Sequence, residues 1–501
     1  MEVFDAIVIG GGVLGCFAAR SLTRYDLKTA LLEKSDDLCT GISRANTAIV
    51  YSGCDTKPGT LKTTMCVRAA QGFAALCDEL GVRYSKCGSI MICFGERGAG
   101  VLMKKLRDGT ANGVRGIRLL TRGEVLELEP NIAGNVHSGL YVPDTGTVMP
   151  WELCLAAADN AVKNGAEIFL NTEVTGINTS QGDAGSSVIR SVQTHFGDPN
   201  SGFRYEIQTD KGVFLARSVI NCAGLAADKL LEMVSEPVVR IVPSAGEYFI
   251  LDTTEIDLVK TVVFQCPSKL GKGVLVAPTV HGNIIVGPDS KYFSKDDYST
   301  TVAGLDFVRN SALRCVPSVN FRASIRNFSG IRADAGINDF IIGESKETPG
   351  FFNVAGIKSP GLTSAPAIAK EIAKLLHAAG LSDEPNPDFV AKRRIMRFKE
   401  LSEEEKSRAI RENPLYGTIV CRCETVTEGE IEDALNRPLP PRSVDALKRR
   451  CTPGMGRCQG GFCGPKVLSL IAKHFNIRPE DVPQDKKDMY IVTGETKRGC
   501  V

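Results

Sequence analysis

Near the start of the chain stands the segment FDAIVIGGGVLG, residues 4–15, in which a β-rich run leads directly into three glycines. The run predicts a short, fully buried parallel strand. Residues 16–23 have a helical pattern, and the segment KTALLE at residues 28–33 predicts a second strand that ends in an acid. Strand, glycine turn, helix, strand and acid form the dinucleotide-binding unit. The pattern predicts a nucleotide cofactor and leaves FAD and NAD open.

Four residues of this unit have distinct physical roles. Gly10 permits the tight turn, Gly12 lets a pyrophosphate approach the backbone, and Gly15 allows the helix to pack closely on the strand. The N–H groups at the start of the helix then face the phosphates. We expect Glu33 to accept hydrogen bonds from the ribose hydroxyls of the nucleotide.

A second pattern lies near the C-terminus, where two close pairs of cysteines are separated by 34 residues. The pairs are C-x-C, formed by Cys421 and Cys423, and C-x4-C, formed by Cys458 and Cys463. Two such pairs brought together make a four-thiolate site, which suits an iron–sulfur cluster or structural zinc. Cys451 lies outside the pattern and is expected to be a neighbour of the site, not a ligand.

The composition excludes several classes of protein. A net charge of +2 gives no electrostatic case for nucleic acid or for an anionic membrane surface. Seventeen irregularly spaced cysteines argue against a secreted disulfide framework and favour a reducing compartment. No apolar stretch is long enough to span a bilayer, and we expect no signal peptide. We therefore expect a cytoplasmic protein of more than one domain, with any membrane attachment made through partner subunits.

The continuation of the nucleotide unit resembles one flavoprotein family. The segments SRANT at 43–47, YSG at 51–53 and KPGTLK at 57–62 are similar to the D-amino-acid-oxidase-like family. Its nearest branches are L-2-hydroxyglutarate dehydrogenases and the catalytic subunit of anaerobic glycerol-3-phosphate dehydrogenase. The resemblance covers roughly residues 4–378 and implies non-covalent FAD. It also implies an α/β fold, in which a Rossmann-like FAD-binding domain is interleaved with an antiparallel-sheet substrate domain.

The resemblance also implies site residues. Arg332, in FSGIR, matches the arginine that anchors an acidic substrate group, and a planar guanidinium suits a carboxylate or phosphate. The helix after FFNVAGIKSPGLT, residues 351–363, is implied to point its N-terminus at the flavin pyrimidine ring, where reduced flavin carries negative charge. The implied catalytic residues are Tyr51, where relatives often carry His, Arg332 and Lys358. The implied cofactor-binding residues are Gly10, Gly12, Gly15, Glu33, Ser43, Arg44, Val174, Ala223, Gly224, Gly356, Gly361, Leu362 and Thr363.

The cysteine segment resembles the bacterioferritin-associated-ferredoxin-like [2Fe-2S] domain, a small helical domain that also ends the catalytic subunit of anaerobic glycerol-3-phosphate dehydrogenase. Cys421, Cys423, Cys458 and Cys463 are its implied ligands, with zinc as the alternative. The implied boundaries are 1–378 for the oxidoreductase domain, 379–415 for a partly helical, solvated linker, 416–475 for the [2Fe-2S] domain and 476–501 for a weakly structured tail. Within the oxidoreductase domain, the FAD-binding parts are expected at about 1–80, 145–225 and 326–378. The substrate-binding parts are expected at about 81–144 and 226–325.

Together the two resemblances predict an FAD-dependent dehydrogenase that oxidises a small anionic secondary alcohol, first of all glycerol 3-phosphate. A hydride would pass to flavin N5, and electrons would leave through the cluster to an electron-acceptor protein or a quinone-linked subunit. Three alternatives remain open: a dehydrogenase of L-2-hydroxyglutarate or another 2-hydroxy acid, an amino- or imino-acid dehydrogenase, and a non-catalytic electron-transfer subunit.

Overall fold

A computed structural model gives the fold of the chain in two compact units. The first unit comprises residues 1–34 and 39–392, and the second comprises residues 35–38 and 393–501. The residues that the structure describes are 3–179, 203–236, 239–266, 273–292 and 299–494. Most of the loop predicted at 181–205 lies outside them. In the described part of the chain, no helix combines the length and the apolar character needed to cross a bilayer.

The first unit is built from two large sheets and a small one. Its strands are β1 Val3–Ile9, β2 Thr29–Leu32, β3 Ile49–Val50, β4 Tyr84–Ser85, β5 Ser89–Cys93, β6 Arg118–Thr121, β7 Ser138–Val142, β8 Gly146–Val148, β9 Glu167–Phe169, β10 Val174–Thr179, β11 Tyr205–Thr209, β12 Gly212–Asn221, β13 Val242–Leu251, β14 Val262–Gln265, β15 Leu275–Pro278, β16 Ile284–Gly287, β17 Lys291–Tyr292, β18 Ser324–Asp334, β19 Ile341–Glu344 and β20 Phe351–Ala355. Its helices are α1 Val13–Leu22, α2 Leu61–Ala70, α3 Phe73–Leu80, α4 Glu96–Ala111, α5 Arg122–Leu128, α6 Pro150–Lys163, α7 Ala227–Glu232, α8 Val302–Cys315 and α9 Gly361–Ala378.

The first large sheet carries the predicted nucleotide unit. Strands β20, β12, β1, β2 and β9 run parallel in that order, and β10, β11 and β19 add antiparallel strands. Within it Ile7 lies between Val219 and Ala30, all three fully buried. Such continuous burial explains why the parallel strands have apolar runs without alternation. Helix α1 packs against α6 and against α9 beside this sheet.

The second large sheet has the strand order β17-β13-β16-β15-β14-β5-β7-β6, with β18 beside β13. Its described strand pairs are antiparallel except for β14 and β5. The sequence-based division placed residues 326–334 with the FAD-binding part, but β18 pairs with β13 along its whole length. That assignment is therefore wrong for this strand, because an alternating pattern predicts a strand without naming its partner. A small sheet has the order β3-β8-β4.

The second unit is mostly helical and has its own buried core. Its elements are β21 Ile419–Cys421, β22 Val426–Thr427, α10 Glu403–Glu412, α11 Glu428–Leu435, α12 Val444–Cys451 and α13 Gly464–Phe475. A capping box opens α11, since Thr427 Oγ1 accepts the Glu430 N–H and Glu430 accepts the Thr427 N–H. Leu447, Ile471 and Val482 are fully buried in this core.

The predicted linker and tail differ from the structure. Hydrogen bonds hold residues 384–390 against the rest of the first unit: the Asp26 N–H donates to Glu384 O, and Asn160 Nδ2 donates to Val390 O. The helix α10 covers only Glu403–Glu412 of the predicted solvated helical stretch. In the predicted tail, Val482 is fully buried and Asp485 pairs with Arg449 at 3.0 Å. Local polarity predicted solvation here, but backbone hydrogen bonds and one buried apolar side chain fix these segments instead.

Candidate active site and metal centre

The glycine loop between β1 and α1 has no room for side chains at two positions. Gly10 has φ +109°, and a Cβ there would lie 2.6 Å from Cys222 O. A Cβ on Gly15 would collide with Gly10 O. At Gly12, the one atom of the described residues found within 4 Å of such a Cβ is Ser43 Oγ, at 3.2 Å. The loop is therefore tight on its inner side and leaves backbone accessible at Gly12, as a bound pyrophosphate requires.

The start of α1 has the hydrogen-bonding groups that a nucleotide needs. Its N-cap, Gly12, offers no side-chain cap, and the Val13 N–H donates to Ser43 Oγ at 2.9 Å. The Gly11 N–H donates to Glu33 Oε2 at 2.6 Å. A carboxylate at the end of β2 beside an uncapped helix N-terminus is the arrangement that binds ribose and phosphate. These residues fit FAD.

Other predicted cofactor residues approach the same loop. Ser43 and Arg44 lie in a 3-10 turn at Ile42–Arg44, and a Cβ on Gly224 would lie 3.6 Å from Ile42. Ala223 follows β12, and its Cα lies 3.0 Å from a Cβ built on Gly10. The segment before Val174 is tied to the nucleotide unit, since the Thr172 N–H donates to the carbonyl of Glu33 at 2.9 Å. Val174 itself begins β10.

The motif near residue 360 reaches this region through α9. Gly361, Leu362 and Thr363 form its first turn, which lacks a side-chain cap at Pro360. Thr363 is fully buried, and its Oγ1 accepts a hydrogen bond from the Tyr51 N–H at 3.0 Å. Thus the start of α9 and the strand segment before Tyr51, far apart in sequence, are joined directly. Gly356, with φ +65°, lies against Ala335.

Tyr51 is half-buried between this helix and the second sheet. Its side chain hydrogen-bonds with Ser359 and Thr47, and its ring lies 6.1 Å from that of Phe264. Burial, with a further contribution from Asp55, holds the pKa of Tyr51 well above its usual range. The phenol is therefore protonated at neutral pH, so it can donate a hydrogen bond but cannot take up a substrate proton.

Arg332 lies on β18 in an aromatic setting. Its Nη2 donates to Tyr248 Oη at 3.5 Å, and the Tyr248 ring stacks on Phe328 at 4.8 Å. Gly246 on β13, which pairs with Gly330 and lies diagonal to Arg332, leaves space for the guanidinium, because a Cβ there would lie 2.5 Å from Nη2. Two residues earlier on β18, a Cβ on Gly330 would collide with Ala45 O. Because Gly330 has no Cβ, β18 can lie close to Ala45 in the segment SRANT, residues 43–47.

Lys358 does not stand alone as a cation. Its Nζ lies 2.6 Å from Asp334 Oδ1, and both side chains are about one-fifth exposed. Burial alone would raise the pKa of Asp334, but hydrogen bonds from Lys358 and from the Gly336 N–H, with the lysine charge, hold it below its usual range. Neither Asp334 nor Tyr248 is predicted from the sequence. The i,i+2 spacing of Arg332 and Asp334 on one strand face was the available signal.

The four predicted metal-ligating cysteines meet in two pairs in the second unit. Cys423 Sγ lies 3.6 Å from Cys458 Sγ, and Cys421 and Cys463 share a hydrogen bond through their thiols. The backbone N–H groups of Phe462, Gly460 and Gly461 hydrogen-bond to Cys458 Sγ. Paired thiols with backbone donors suit a [2Fe-2S] cluster. Among the described residues, no group of three or more His, Cys, Asp or Glu is gathered as a single metal ion would need.

Cys451 lies apart from these pairs. It ends α12, and its thiol donates to Leu447 O one turn earlier. Burial raises the pKa of Cys451 to about 12. Its chemistry is that of a partly buried structural thiol.

Two family models match the chain. The one described as FAD dependent oxidoreductase matches residues 5–375, and the one described as BFD-like [2Fe-2S] binding domain matches residues 419–473. These matches confirm the predicted fold class and the predicted FAD and [2Fe-2S] domains.

Among characterised relatives, a glycerol 3-phosphate dehydrogenase from Caloramator mitchellensis is 42% identical over 497 residues, which is 99% of each chain. A glycerol 3-phosphate oxidase from Mycoplasma genitalium is 30% identical and covers 75% of this chain and 95% of its own. The human mitochondrial L-2-hydroxyglutarate dehydrogenase is 30% identical over 64% of this chain and 68% of its own. The FAD-bound L-alpha-glycerophosphate oxidase from Mycoplasma pneumoniae aligns with a TM-score of 0.71 and 28% identity, over 79% of this chain and all of the oxidase chain.

Proposed function

Because the chain belongs to the FAD dependent oxidoreductase family, we propose that it is a dehydrogenase that oxidises the secondary alcohol of glycerol 3-phosphate. The observation that carries this proposal is the match to the Caloramator mitchellensis dehydrogenase along nearly the whole of both chains, through the [2Fe-2S] domain as well as the flavin domain.

The charges of the site support an anionic substrate. Arg332 offers a planar fork of donors that suits a phosphate, and Tyr248 Oη lies within reach of the same guanidinium. Lys358 adds a second cation, held in place by Asp334. A doubly charged phosphate would therefore meet two positive groups whose positions are fixed by neighbours.

Bound FAD would supply the hydride acceptor at flavin N5. Gly12, Ser43 and Glu33 would hold its ribose and phosphates, and the first turn of α9 would present N–H groups to the flavin ring. Tyr51 stays protonated and would donate a hydrogen bond to the substrate oxygen. Its hydrogen bonds to Thr47 and Ser359 would fix the direction of that donation.

A [2Fe-2S] cluster on Cys421, Cys423, Cys458 and Cys463 would supply one-electron transfer. We propose that electrons leave through it to an external acceptor, either a carrier protein or a quinone-linked subunit, with the enzyme in the cytoplasm or held at a membrane by that partner. Purified holoprotein should release FAD on acid treatment and contain about two irons and two sulfides per chain. Stoichiometric zinc without sulfide would refute the cluster.

An anaerobic assay with an artificial electron acceptor tests the substrate. Glycerol 3-phosphate should give the highest kcat/KM in a panel with L-2-hydroxyglutarate, other 2-hydroxy acids, glycine and proline. A higher kcat/KM for L-2-hydroxyglutarate would instead identify the enzyme as an L-2-hydroxyglutarate dehydrogenase. Turnover of the amino acids alone would make it an amino-acid dehydrogenase. If no compound reduces the flavin of intact holoprotein, the chain is an electron-transfer subunit.

A further inference from the structure

We propose that the surface around the two exposed cluster cysteines is a docking site for a small acidic one-electron carrier protein. This surface, called the exit patch, consists of Arg422, Cys423, Arg457, Cys458 and Phe462, all exposed in the second unit. The inference rests on the proposed function in one respect, namely that an external acceptor takes the electrons.

The four thiols differ in their exposure. Cys421 and Cys463 are 1% and 2% exposed, whereas Cys423 and Cys458 are both exposed. A cluster held by these residues would therefore approach the surface of the unit on the side of Cys423 and Cys458. A carrier that must come close to the cluster has to bind there, over the exit patch.

Phe462 is the residue of this surface that most resembles an interface anchor. It is 60% exposed, directly before the ligand Cys463, and the Arg422 guanidinium lies 4.6 Å from its ring centre. Aromatic and arginine side chains are the types that carry most of the energy of protein interfaces. Its exposure cannot be explained by packing within the unit, whereas burial against a partner would remove the ring from water.

The charge pattern selects an acidic partner. From residue 446 to residue 479 the chain has seven Lys and Arg and no Asp or Glu. Two of the seven, Arg449 and Arg450, are buried and paired with Asp37, so they do not contribute to a surface. Arg457 belongs to the exit patch, and Lys466, paired with Glu428, lies three residues beyond Cys463. Arg422 beside the exposed Phe462 ring, together with the exposed Arg457, favours association with a negatively charged surface.

The electron balance fixes the class of the partner. Oxidation of a secondary alcohol to a ketone releases two electrons and two protons. The protons pass to solvent, and two carrier molecules, each a flavin or iron–sulfur protein, take up one electron apiece. Small carriers of this kind suit transient docking on a limited patch.

The test uses the full-length protein loaded with both cofactors. Binding to immobilised flavodoxin, an acidic carrier, is compared with binding to cytochrome c, a basic carrier, at low and at physiological ionic strength. Wild-type protein should bind flavodoxin more tightly, with affinity that falls as salt rises. Arg422→Glu should weaken binding by about tenfold or more, because it reverses one charge of the patch. Phe462→Ala should weaken binding with little change in its salt dependence.

Arg411→Glu is the matched control, since Arg411 is an exposed arginine on α10, outside both cysteine loops, and this variant should bind as wild type does. The electron paramagnetic resonance signal of the reduced cluster must be retained in each variant that is compared. Reduction of flavodoxin by substrate should slow in parallel with binding, whereas single-turnover reduction of the flavin should not change.

Three results would overturn the proposal: tighter binding of cytochrome c than of flavodoxin, unchanged flavodoxin binding by both patch variants, or slower reduction of the cluster by substrate with unchanged flavodoxin binding. The last would assign the patch to electron entry from the flavin unit. Failure of the proposed substrate is recognised separately, because glycerol 3-phosphate would then leave the flavin oxidised while flavodoxin binding persisted.

Discussion

Lys358 Nζ lies 2.6 Å from Asp334 Oδ1, so the lysine predicted to serve the substrate already has an anionic partner. Lys358→Met should therefore do more than remove a cation, because it also leaves the Asp334 carboxylate facing an anionic substrate. We expect kcat/KM for glycerol 3-phosphate to fall about 30-fold, or roughly 2 kcal/mol. The double variant Lys358→Met with Asp334→Asn should recover about threefold of this loss. If the double variant has no higher kcat/KM than Lys358→Met, the Asp334 carboxylate does not repel the anionic substrate.

The glycine loop predicts two different kinds of failure. Gly10→Ala should prevent stable folding, because φ +109° and the nearby Cys222 O leave no place for a Cβ, with strain on the order of 1–3 kcal/mol before the collision is counted. Gly12→Val should fold, since φ −77° suits any residue, and should lose FAD because its side chain fills the pyrophosphate position. Gly41→Ala is the control, because no atom in the described part of the chain lies within 4 Å of a Cβ at this position. Circular dichroism and released FAD distinguish the outcomes.

The paired N–H donors of the Arg332 guanidinium are expected to contribute more to kcat/KM than its positive charge does. Arg332→Lys keeps the charge and loses the paired donors, so kcat/KM should fall about 30- to 150-fold, or roughly 2–3 kcal/mol. Tyr248→Phe removes a hydroxyl that lies 3.5 Å from Arg332 Nη2 and should lower kcat/KM only about fivefold. Steady-state assays with an artificial acceptor measure both. Unchanged turnover of every anionic substrate by Arg332→Lys would place the anchor elsewhere.

In cluster-free protein, thiol reactivity should distinguish the predicted ligand Cys458 from its neighbour Cys451. The backbone N–H groups of Phe462, Gly460 and Gly461 lower the pKa of the exposed Cys458 thiol, whereas burial raises that of Cys451 to about 12. Because the thiolate is the reactive species, Cys458 should be alkylated first by iodoacetamide at pH 7.5, and Cys451 should stay unmodified. Mass spectrometry of peptides gives the order. Equal labelling of the two would contradict the assignment.

Asp37 should make the second unit acid-sensitive. Burial opposes its ionisation, but Arg450 and Arg449 outweigh burial and lower the pKa of Asp37 to about 2. A depressed folded-state pKa contributes stability that is present above the unfolded value near pH 4 and is lost as pH falls toward 2. Asp37→Asn should cost about 3–5 kcal/mol at pH 6, because buried guanidinium groups lose their carboxylate. Urea unfolding followed by circular dichroism should show a smaller difference from wild type at pH 3.

Local patterns predicted the parts of the site whose chemistry lies within a short stretch of chain. The glycine loop, Glu33 and the two cysteine pairs follow from spacing alone. The prediction of Lys358 as a cation near the flavin was incomplete, since nothing in the sequence around it names Asp334 as its partner. The same limit explains Tyr248, which reaches Arg332 only because β13 and β18 pair.

The sequence by itself determined that this chain has a nucleotide-binding unit at one end and two close cysteine pairs at the other, because glycine conformation and the spacing within each pair act over a few residues. Only the tertiary structure decided that β18 joins the second sheet and that Gly330 lets this strand approach Ala45. It also decided that parts of the predicted linker and tail are held by hydrogen bonds and packing. These outcomes depend on burial and hydrogen bonding between residues far apart in the chain. Such contacts are selected by the packing of the whole unit, which no local pattern encodes.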